Sequence, residues 1–406
     1  MTEKKEMKRR RFMQQTAGSA IALSALNGIM PSSVLGANER INAGIIGPGG
    51  RGRGIMREFM HFGSRFIAVC DVFEENLNRG MEIAGEGATA YDDYRKLLEN
   101  KDIDAVVIAS PEHQHGVQLI DTVNAGKDSY CEKPMSHSIE EGNKMVQAVR
   151  ATDRIVQIGM QRRSSPAVHE AKKIVDEGKL GNVHLVKAQW NWNYSSPMNY
   201  GPLDAKLNWE AFCYPSPVAK FEVARFRNWR VFWDYSGGHV CDQGTHLMDV
   251  IQWFMNSGTP QMAECFGRVY KMTGAETPDV FTAMFEYANF NATWELSYTN
   301  RFQDGWTITF QGDKGTLVLN DQGSRYYSDE TSQGWPKDIK PDWEFSGPLP
   351  TLPHVENFLE CVKSRKEPNA PVEVGHRAVC GPHLANVAWH NKKRAYLNED
   401  ATQVTV

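Results

Sequence analysis

Apolar positions along the chain follow two rhythms, and the change between them falls near residue 160. Over the earlier part, short continuous apolar runs alternate with segments in which apolar residues recur every three to four positions. The runs Ala43-Gly44-Ile45-Ile46, Phe66-Ile67-Ala68-Val69-Cys70 and Ile103-Asp104-Ala105-Val106-Val107-Ile108-Ala109 predict buried strands, as do Lys127 to Cys131 and Ile155 to Gly159. Between them, Ile55 to Phe62, Tyr91 to Leu98, Val117 to Ala125 and Ile139 to Arg150 predict helices, with Gly126 as a stop signal. Strands alternating with helices predict an α/β fold with a doubly wound parallel sheet. Ligands on such a sheet bind at the carboxyl ends of its strands. Gly47, Asp71, Pro111 and Lys133 all stand at such ends.

Beyond residue 160 the period shortens to two. Phe281 to Tyr287 and Ala292 to Tyr298 predict one antiparallel pair, and Thr307 to Phe310 with Thr316 to Leu319 a second hairpin around Gly312-Asp313-Lys314-Gly315. Val183 to Trp190 predicts a further strand, Ala167 to Glu177 a helix, and residues 321–350 a surface excursion. His354 to Ser364 and His376 to His390 predict late helices that pack back between the domains. The expected organisation is an N-terminal leader over 1–37, a doubly wound α/β domain of Rossmann type over 38–160, and an α+β domain with a large, mostly antiparallel sheet over 161–406.

Composition changes this picture little. The chain has 406 residues, 41% of them hydrophobic and 23% charged, with a formal charge of −4. Nothing in that balance calls for nucleic acid or an anionic membrane as a partner. Seven scattered cysteines form no C-x-x-C pair, which speaks against a zinc ribbon or a disulfide framework. The N-terminus changes it more. Arg9-Arg10-Arg11-Phe12-Met13 is followed by a modest apolar run from Ala17 to Met30 and the small-residue stretch Ser32 to Ala37. That is the layout of a signal peptide, and the arginines resemble a twin-arginine motif. The expectation is export to the periplasm with cleavage near Ala37, and the apolar run is too short to span a membrane.

The glycines after the first strand carry the first chemistry. Gly47, Gly49 and Gly52 give G-x-G-x-x-G, with Gly50 and Arg51 in the same turn. The first glycine permits the tight turn, the second lets a pyrophosphate approach, and the third lets the helix pack on the strand. Asp71 ends the next strand about 20 residues on, where a carboxylate binds the ribose hydroxyls of NAD. Arg51 and Arg53 keep NADP open.

Glu132-Lys133-Pro134 and the downstream Gly237-Gly238-His239-Val240-Cys241-Asp242-Gln243-Gly244-Thr245-His246, together with the glycine fingerprint, resemble the Gfo/Idh/MocA oxidoreductase family. The resemblance covers essentially the whole mature chain. It implies that Lys133, Asp242 and His246 line a substrate site beside the nicotinamide, and that a homo-oligomer forms through the C-terminal sheet. Near position 239 typical members carry Gly or Ala, so His239 departs from the pattern and adds a polar group. Chemically, a hydride leaves a ring carbon as its hydroxyl proton is removed. His246 suits the base, Asp242 at i, i+4 can orient it or bind a hydroxyl, and Lys133 can stabilise the developing charge. Ser110, Pro111, His113, His115 and Glu132 are expected beside the cofactor. Trp192 and Tyr194, with Trp190, suit a carbohydrate platform, and Arg163, Asn191 and Asn193 suit neighbouring hydroxyls. His239, Asp242 and His246 also share a helix face that could chelate a metal, a reading weaker than the metal-free one.

Three functions compete. The first is an exported oxidoreductase acting on a secondary hydroxyl of a sugar or glycoside with tightly bound NAD. The second, implied by some members of the family, is a redox-neutral glycosidase that oxidises, eliminates, hydrates and reduces again. The third is a non-catalytic sugar-binding protein on the same fold.

Overall fold

The computed structural model of the protein describes residues 40–329, 340–347 and 349–406. The leader expected over 1–37 lies outside these residues, as does part of the 321–350 excursion.

Strands β1 (Asn42–Ile46), β2 (Arg65–Cys70), β3 (Thr89–Tyr91), β4 (Ala105–Ile108), β5 (Asp128–Cys131) and β6 (Val156–Ile158) form one parallel sheet in the order β3-β2-β1-β4-β5-β6. All five pairings are parallel. Helices α1 (Gly50–His61), α2 (Glu74–Ala84), α3 (Tyr94–Leu98), α4 (Glu112–Asn124) and α5 (Ile139–Arg150) make the crossovers. The central strands β1 and β4 are largely apolar because both of their faces are covered, and every residue of β4 and β5 is buried. The chain order reverses between β1 and β4, and the crevice at that point is the natural ligand site.

A 3-10 turn (Gln161–Ser164) and α6 (Pro166–Asp176) lead into the second sheet. Its strands are β7 (Val183–Asn191), β8 (Met262–Arg268), β9 (Val280–Glu286), β10 (Asn291–Ser297), β11 (Gly305–Gly312), β12 (Gly315–Asn320), β13 (Gly323–Ser328), β14 (Trp343–Ser346), β15 (Ala395–Leu397) and β16 (Val404–Thr405). They run in the order β14-β13-β12-β11-β7-β10-β9-β8-β15-β16, and the central β7 and β10 are parallel. Alternate burial along β9 and β10 shows one face packed and the other turned outward. The short helices α7 (Trp209–Cys213) and α8 (Val223–Arg227) lie in the long connection to α9 (Gly238–Phe254), which covers the packed face through Leu247, Val250 and Ile251.

The late helices α10 (Leu352–Ser364) and α11 (Val372–Asn391) return to the first domain, as the sequence predicts. Val355 and Phe358 of α10 pack with Ile55 and Phe59 of α1. The start of α11 packs Val372 and Val374 against Met135 and Ile158, while Cys380 and Leu384 join the core beneath the second sheet. One helix therefore belongs to both cores and fixes their relation. Removing the fully buried ring of Phe358 would cost about 3–5 kcal/mol. All seven cysteines are buried and free.

Candidate active site

The chain leaves β1 through Gly47, whose φ of +83° belongs to glycine. The Gly47 N–H donates to the Cys70 carbonyl at 2.9 Å, which ties the turn to β2. A Cβ at position 52 would stand 2.3 Å from the Gly47 oxygen, so α1 approaches β1 this closely only through a glycine. A Cβ at Gly49 or Gly50 would meet nothing within 4 Å. The backbone there faces open space at the start of α1, which has no side-chain cap and no acid in its first turn. Free N–H groups at such an end suit a pyrophosphate.

Asp71 follows β2 and accepts the Phe73 N–H at 2.8 Å. Burial pushes its carboxyl up to about 7, against the lowering effect of Phe73, Asn76 and Arg53. Gly47, Gly49, Asp71, Ser110 and Pro111 line one cleft of about 530 Å³. These donors and acceptors fit a dinucleotide, with the pyrophosphate on the glycine turn and a ribose on Asp71. Arg51 also lines the cleft, but its Nε is paired with Glu132 Oε1 at 2.9 Å, so Glu132 acts by holding Arg51.

At the end of β5 the Lys133 ammonium donates to Asp242 Oδ1 at 2.7 Å and to the Asp242 carbonyl at 2.8 Å. Arg230, which the sequence reading missed, places Nε 3.4 Å from Asp242 Oδ2. Burial alone would raise the Asp242 carboxyl, but the Lys133 and Arg230 cations outweigh it and hold it well below the usual carboxylate range. His246 stands one helical turn further along α9, 8% exposed, with its ring 6.3 Å from Trp190. Burial, then the cations of Lys133, Arg162 and Arg51, keep its imidazole well below the ordinary histidine pKa. The site thus holds a neutral imidazole with no hydrogen bond from any described residue. Asp242 does not orient it, because that carboxylate is committed to the two cations.

His239, one turn earlier, is 2% exposed, and neither ring nitrogen has a hydrogen-bond partner among the described residues. Burial pulls its pKa down to about 4. Its ring lies 4.6 Å from Tyr298 and 5.9 Å from Tyr194. Tyr298 in turn stacks with Trp192 at 5.7 Å. Trp192 and Tyr194 are 37% and 49% exposed, so an aromatic wall runs from solvent to His239. His239, Asp242 and His246 do not converge as metal ligands. Among the described residues the group that converges is Glu112, Cys241 and His383, and it is internally bonded: Cys241 Sγ lies 3.4 Å from His383 Nδ1.

Several expected contacts are taken up elsewhere. His113 and His115 do not line the cleft; the phase of α4 gives that face to Gln114 and Gln118. His113 Nε2 is bonded to the Phe212 carbonyl at 2.8 Å. His115 bridges the Ser110 and Pro134 carbonyls at 2.9 and 2.7 Å, and so joins the loops that follow β4 and β5. Arg163 pairs with Asp249 at 2.6 Å and lies over Trp253, away from the reacting group. Consecutive residues in a 3-10 turn diverge by about 120°, so it is Arg162 that turns inward, with its guanidinium 4.0 Å from the Trp306 ring. Asn193 accepts from Lys271, and Asn191 donates to the Phe302 carbonyl.

Residues 41–160 match the family model described as oxidoreductase family, NAD-binding Rossmann fold, and residues 168–318 match the GFO/IDH/MocA C-terminal domain. An inositol 2-dehydrogenase of Rubrobacter xylanophilus is 33% identical over 162 residues, 39% of this chain and 46% of that protein. The chain thus spans about half the length of several curated relatives it matches. The scyllo-inositol 2-dehydrogenase (NAD(+)) of Bacillus subtilis is 23% identical over 310 residues, 75% of this chain and 81% of that one. The WlbA dehydrogenase of Bordetella pertussis, solved with NADH and UDP-GlcNAcA, is similar in fold, with TM-score 0.69 and 20% identity over 88% of this chain and 99% of that one. Levoglucosan dehydrogenase, solved with NADH and L-sorbose, gives TM-score 0.69 and 18% identity over 87% and 98%.

Proposed function

This chain belongs to the Gfo/Idh/MocA oxidoreductase family, and from that premise we propose that it oxidises a secondary ring hydroxyl of a sugar or glycoside, outside the cytoplasm and with tightly held NAD. The observation that carries the reading is the Lys133–Asp242 pair standing beside a neutral His246 that has no hydrogen bond among the described residues. NAD, when bound, supplies the hydride acceptor. His246 takes the hydroxyl proton, since its imidazole is unprotonated at neutral pH. Lys133 donates to the same oxygen and stabilises the charge that develops as the proton leaves. Asp242 holds the ammonium in place. The exposed rings of Trp192 and Tyr194 offer faces on which sugar C–H groups stack, with the buried Tyr298 behind them.

A second reading has its own support. Arg9-Arg10-Arg11-Phe12-Met13 marks an export route used by proteins that fold first, and free nicotinamide is scarce beyond the cytoplasm. A redox-neutral glycosidase needs none: transient oxidation at C3 acidifies the C2 hydrogen, the aglycone leaves, water adds, and the ketone is reduced again. A two-substrate exchange between sugars answers the same need. For assembly, Phe266 and Met284 are 63% and 45% exposed on the outer face of the second sheet, which suits pairing between copies of the chain.

The test is to purify the mature protein without added cofactor, measure the nucleotide it releases, and offer aryl glycosides while following NADH absorbance and free aglycone. Bound NAD with lasting reduction and no aglycone supports the oxidoreductase. Aglycone release without accumulating NADH supports the glycosidase. Absence of bound nucleotide, with none taken up, overturns both.

A further inference from the structure

Arg162 is a buried cation with no ion pair among the described residues; Asp249 and Asp321 act on it only from beyond ion-pair distance. It is 7% exposed, and its Nη1 has no hydrogen-bond partner among the described residues. Its neighbour Arg163 has the carboxylate within reach, Asp249 at 2.6 Å, and no ion pair forms to Arg162 among the described residues. The guanidinium is held by aromatic rings, 4.0 Å from the centre of Trp306 and 5.4 Å from that of Trp190. Those tryptophans are cross-strand partners on β11 and β7, and their rings lie 6.5 Å apart. Trp190 also touches His246, so the cation stands on the same wall as the expected base.

A buried charge normally finds a partner, because desolvating it alone is costly. Stacking on tryptophan recovers part of that cost and fixes the plane of the guanidinium, but leaves its N–H fork unsatisfied. A planar fork of this kind matches a planar carboxylate in two parallel hydrogen bonds. Lys133 and Arg51 act with Arg162 on His246, and Asp242 and Glu132 are committed to Lys133, Arg230 and Arg51. Of the two carboxylates whose field reaches Arg162, Asp249 is bonded to Arg163 and Asp321 stays beyond ion-pair distance.

We propose that Arg162 is a specificity-determining residue that binds a carboxylate on the substrate, so that the sugar oxidised at this site is a uronic acid or its glycoside. The carboxylate lies in the Arg162 fork between Trp190 and Trp306, and the hydroxyl to be oxidised reaches His246 and Lys133. This rests on the sugar oxidoreductase reading above. A ring bearing a neutral hydroxymethyl group in place of the carboxylate would leave the fork unpaired.

The experiment uses the full mature protein with NAD. Dissociation constants for glucuronate, glucose and glucose 6-sulfate are read by quenching of tryptophan fluorescence, since Trp190 and Trp306 flank the fork, and NADH affinity is measured separately. Wild type is expected to bind glucuronate at least about tenfold tighter than glucose. Arg162→Gln should reduce that ratio to near one, and Arg162→Lys should keep part of it. A thermal melt of each variant confirms folding, and the wild-type ratio stands as a test even where a variant fails to fold. Equal binding of glucuronate and glucose by wild type overturns the inference, as does an unchanged ratio in a folded Arg162→Gln protein. Preference for the sulfate over glucuronate also overturns it, in favour of a tetrahedral anion. Loss of NADH binding by wild type would instead overturn the oxidoreductase reading itself.

Discussion

Lys133 and Asp242 stand 109 residues apart in the chain and 2.7 Å apart in space, with the Lys133 ammonium also bonded to the Asp242 main-chain oxygen. Lys133 belongs to the end of β5 in the cofactor domain, and Asp242 to the second turn of α9 in the other. The pair therefore spans the interface between the two domains, where the proposed substrate oxygen would meet both the nicotinamide and a base. His246 shares the helix of one partner and the electrostatic field of the other, and its low proton affinity follows first from burial and then from that field.

Separating the partners should cost stability as well as activity. Both side chains are nearly buried, at 13% and 9% exposure, so Lys133→Met or Asp242→Asn leaves a charge without its main counterion. Each single variant is expected to lose about 3 kcal/mol of unfolding free energy and at least about 100-fold in kcat/KM. The double variant removes both charges and should recover much of the stability while remaining inactive. Chemical denaturation with parallel kinetics checks this. Additive stability losses in the double variant would show that the pair is not coupled.

His246 gives a pH signature. Its pKa lies well below the ordinary histidine value, so the imidazole is already neutral in mild acid. The kcat/KM profile should then lack an acid limb near ~6.5, the value for a free histidine, and stay level to below pH 6. His246→Gln should lower kcat by about 100- to 10,000-fold without weakening NADH binding. An acid limb at the free histidine value in wild type would mean that burial and the cations around the ring do not act as argued.

Asp71 should govern the cofactor. Its carboxyl is pushed up to about 7 by burial, and the ionised form is the better acceptor for ribose hydroxyls. NADH affinity is expected to rise between pH 6 and pH 8 by up to about tenfold, and Asp71→Asn should abolish the dependence. Wild type should favour NAD over NADP, since Arg53 is occupied with the Pro48 carbonyl at 2.7 Å. Asp71→Ser should narrow that preference. Fluorescence titrations with both reduced cofactors decide it, and a pH-independent NADH affinity in wild type counts against this role.

The parts of this site legible in the sequence were those fixed by the backbone. Gly47 and Gly52 announce themselves because a positive φ and a 2.3 Å approach admit no side chain, and Lys133 because it ends a buried strand. Direction was harder to read. Arg162 and Arg163 are indistinguishable as letters, and only the phase of the 3-10 turn and the position of Asp249 decide which one faces the site. The same holds for α4, where His113 and His115 look like chemistry but bond to main-chain oxygens, while Gln114 and Gln118 face the cleft. Arg230 was missed because nothing local marks it; its partner Asp242 is twelve residues on and joined to it by tertiary packing. The domain boundary near 160 follows chain order, yet α10 and α11 complete the first domain's core from the far end of the chain.

Glu112 carries the last prediction. It is fully buried at the start of α4, where its carboxyl accepts the Ser236 hydroxyl at 2.7 Å and the Gly237 N–H at 3.2 Å. Burial nevertheless pushes its pKa up to about 8, from near ~4.3 for a free glutamate. The native state therefore binds more protons than the unfolded chain between these values. Stability falls as pH rises through that window, and the contribution is most favourable at its acid end. Glu112→Gln keeps one acceptor and one donor but cannot ionise, so it should lose this slope. Relative to wild type, the variant is expected to be no more stable at pH 5 and about 1–3 kcal/mol more stable at pH 8.5. Asp71 and Glu141 also have raised pKa values and add to the slope of both proteins, so the difference between the two isolates Glu112. Denaturant titrations at the two pH values measure it, and a difference that does not change with pH would mean that Glu112 stays ionised in the folded protein.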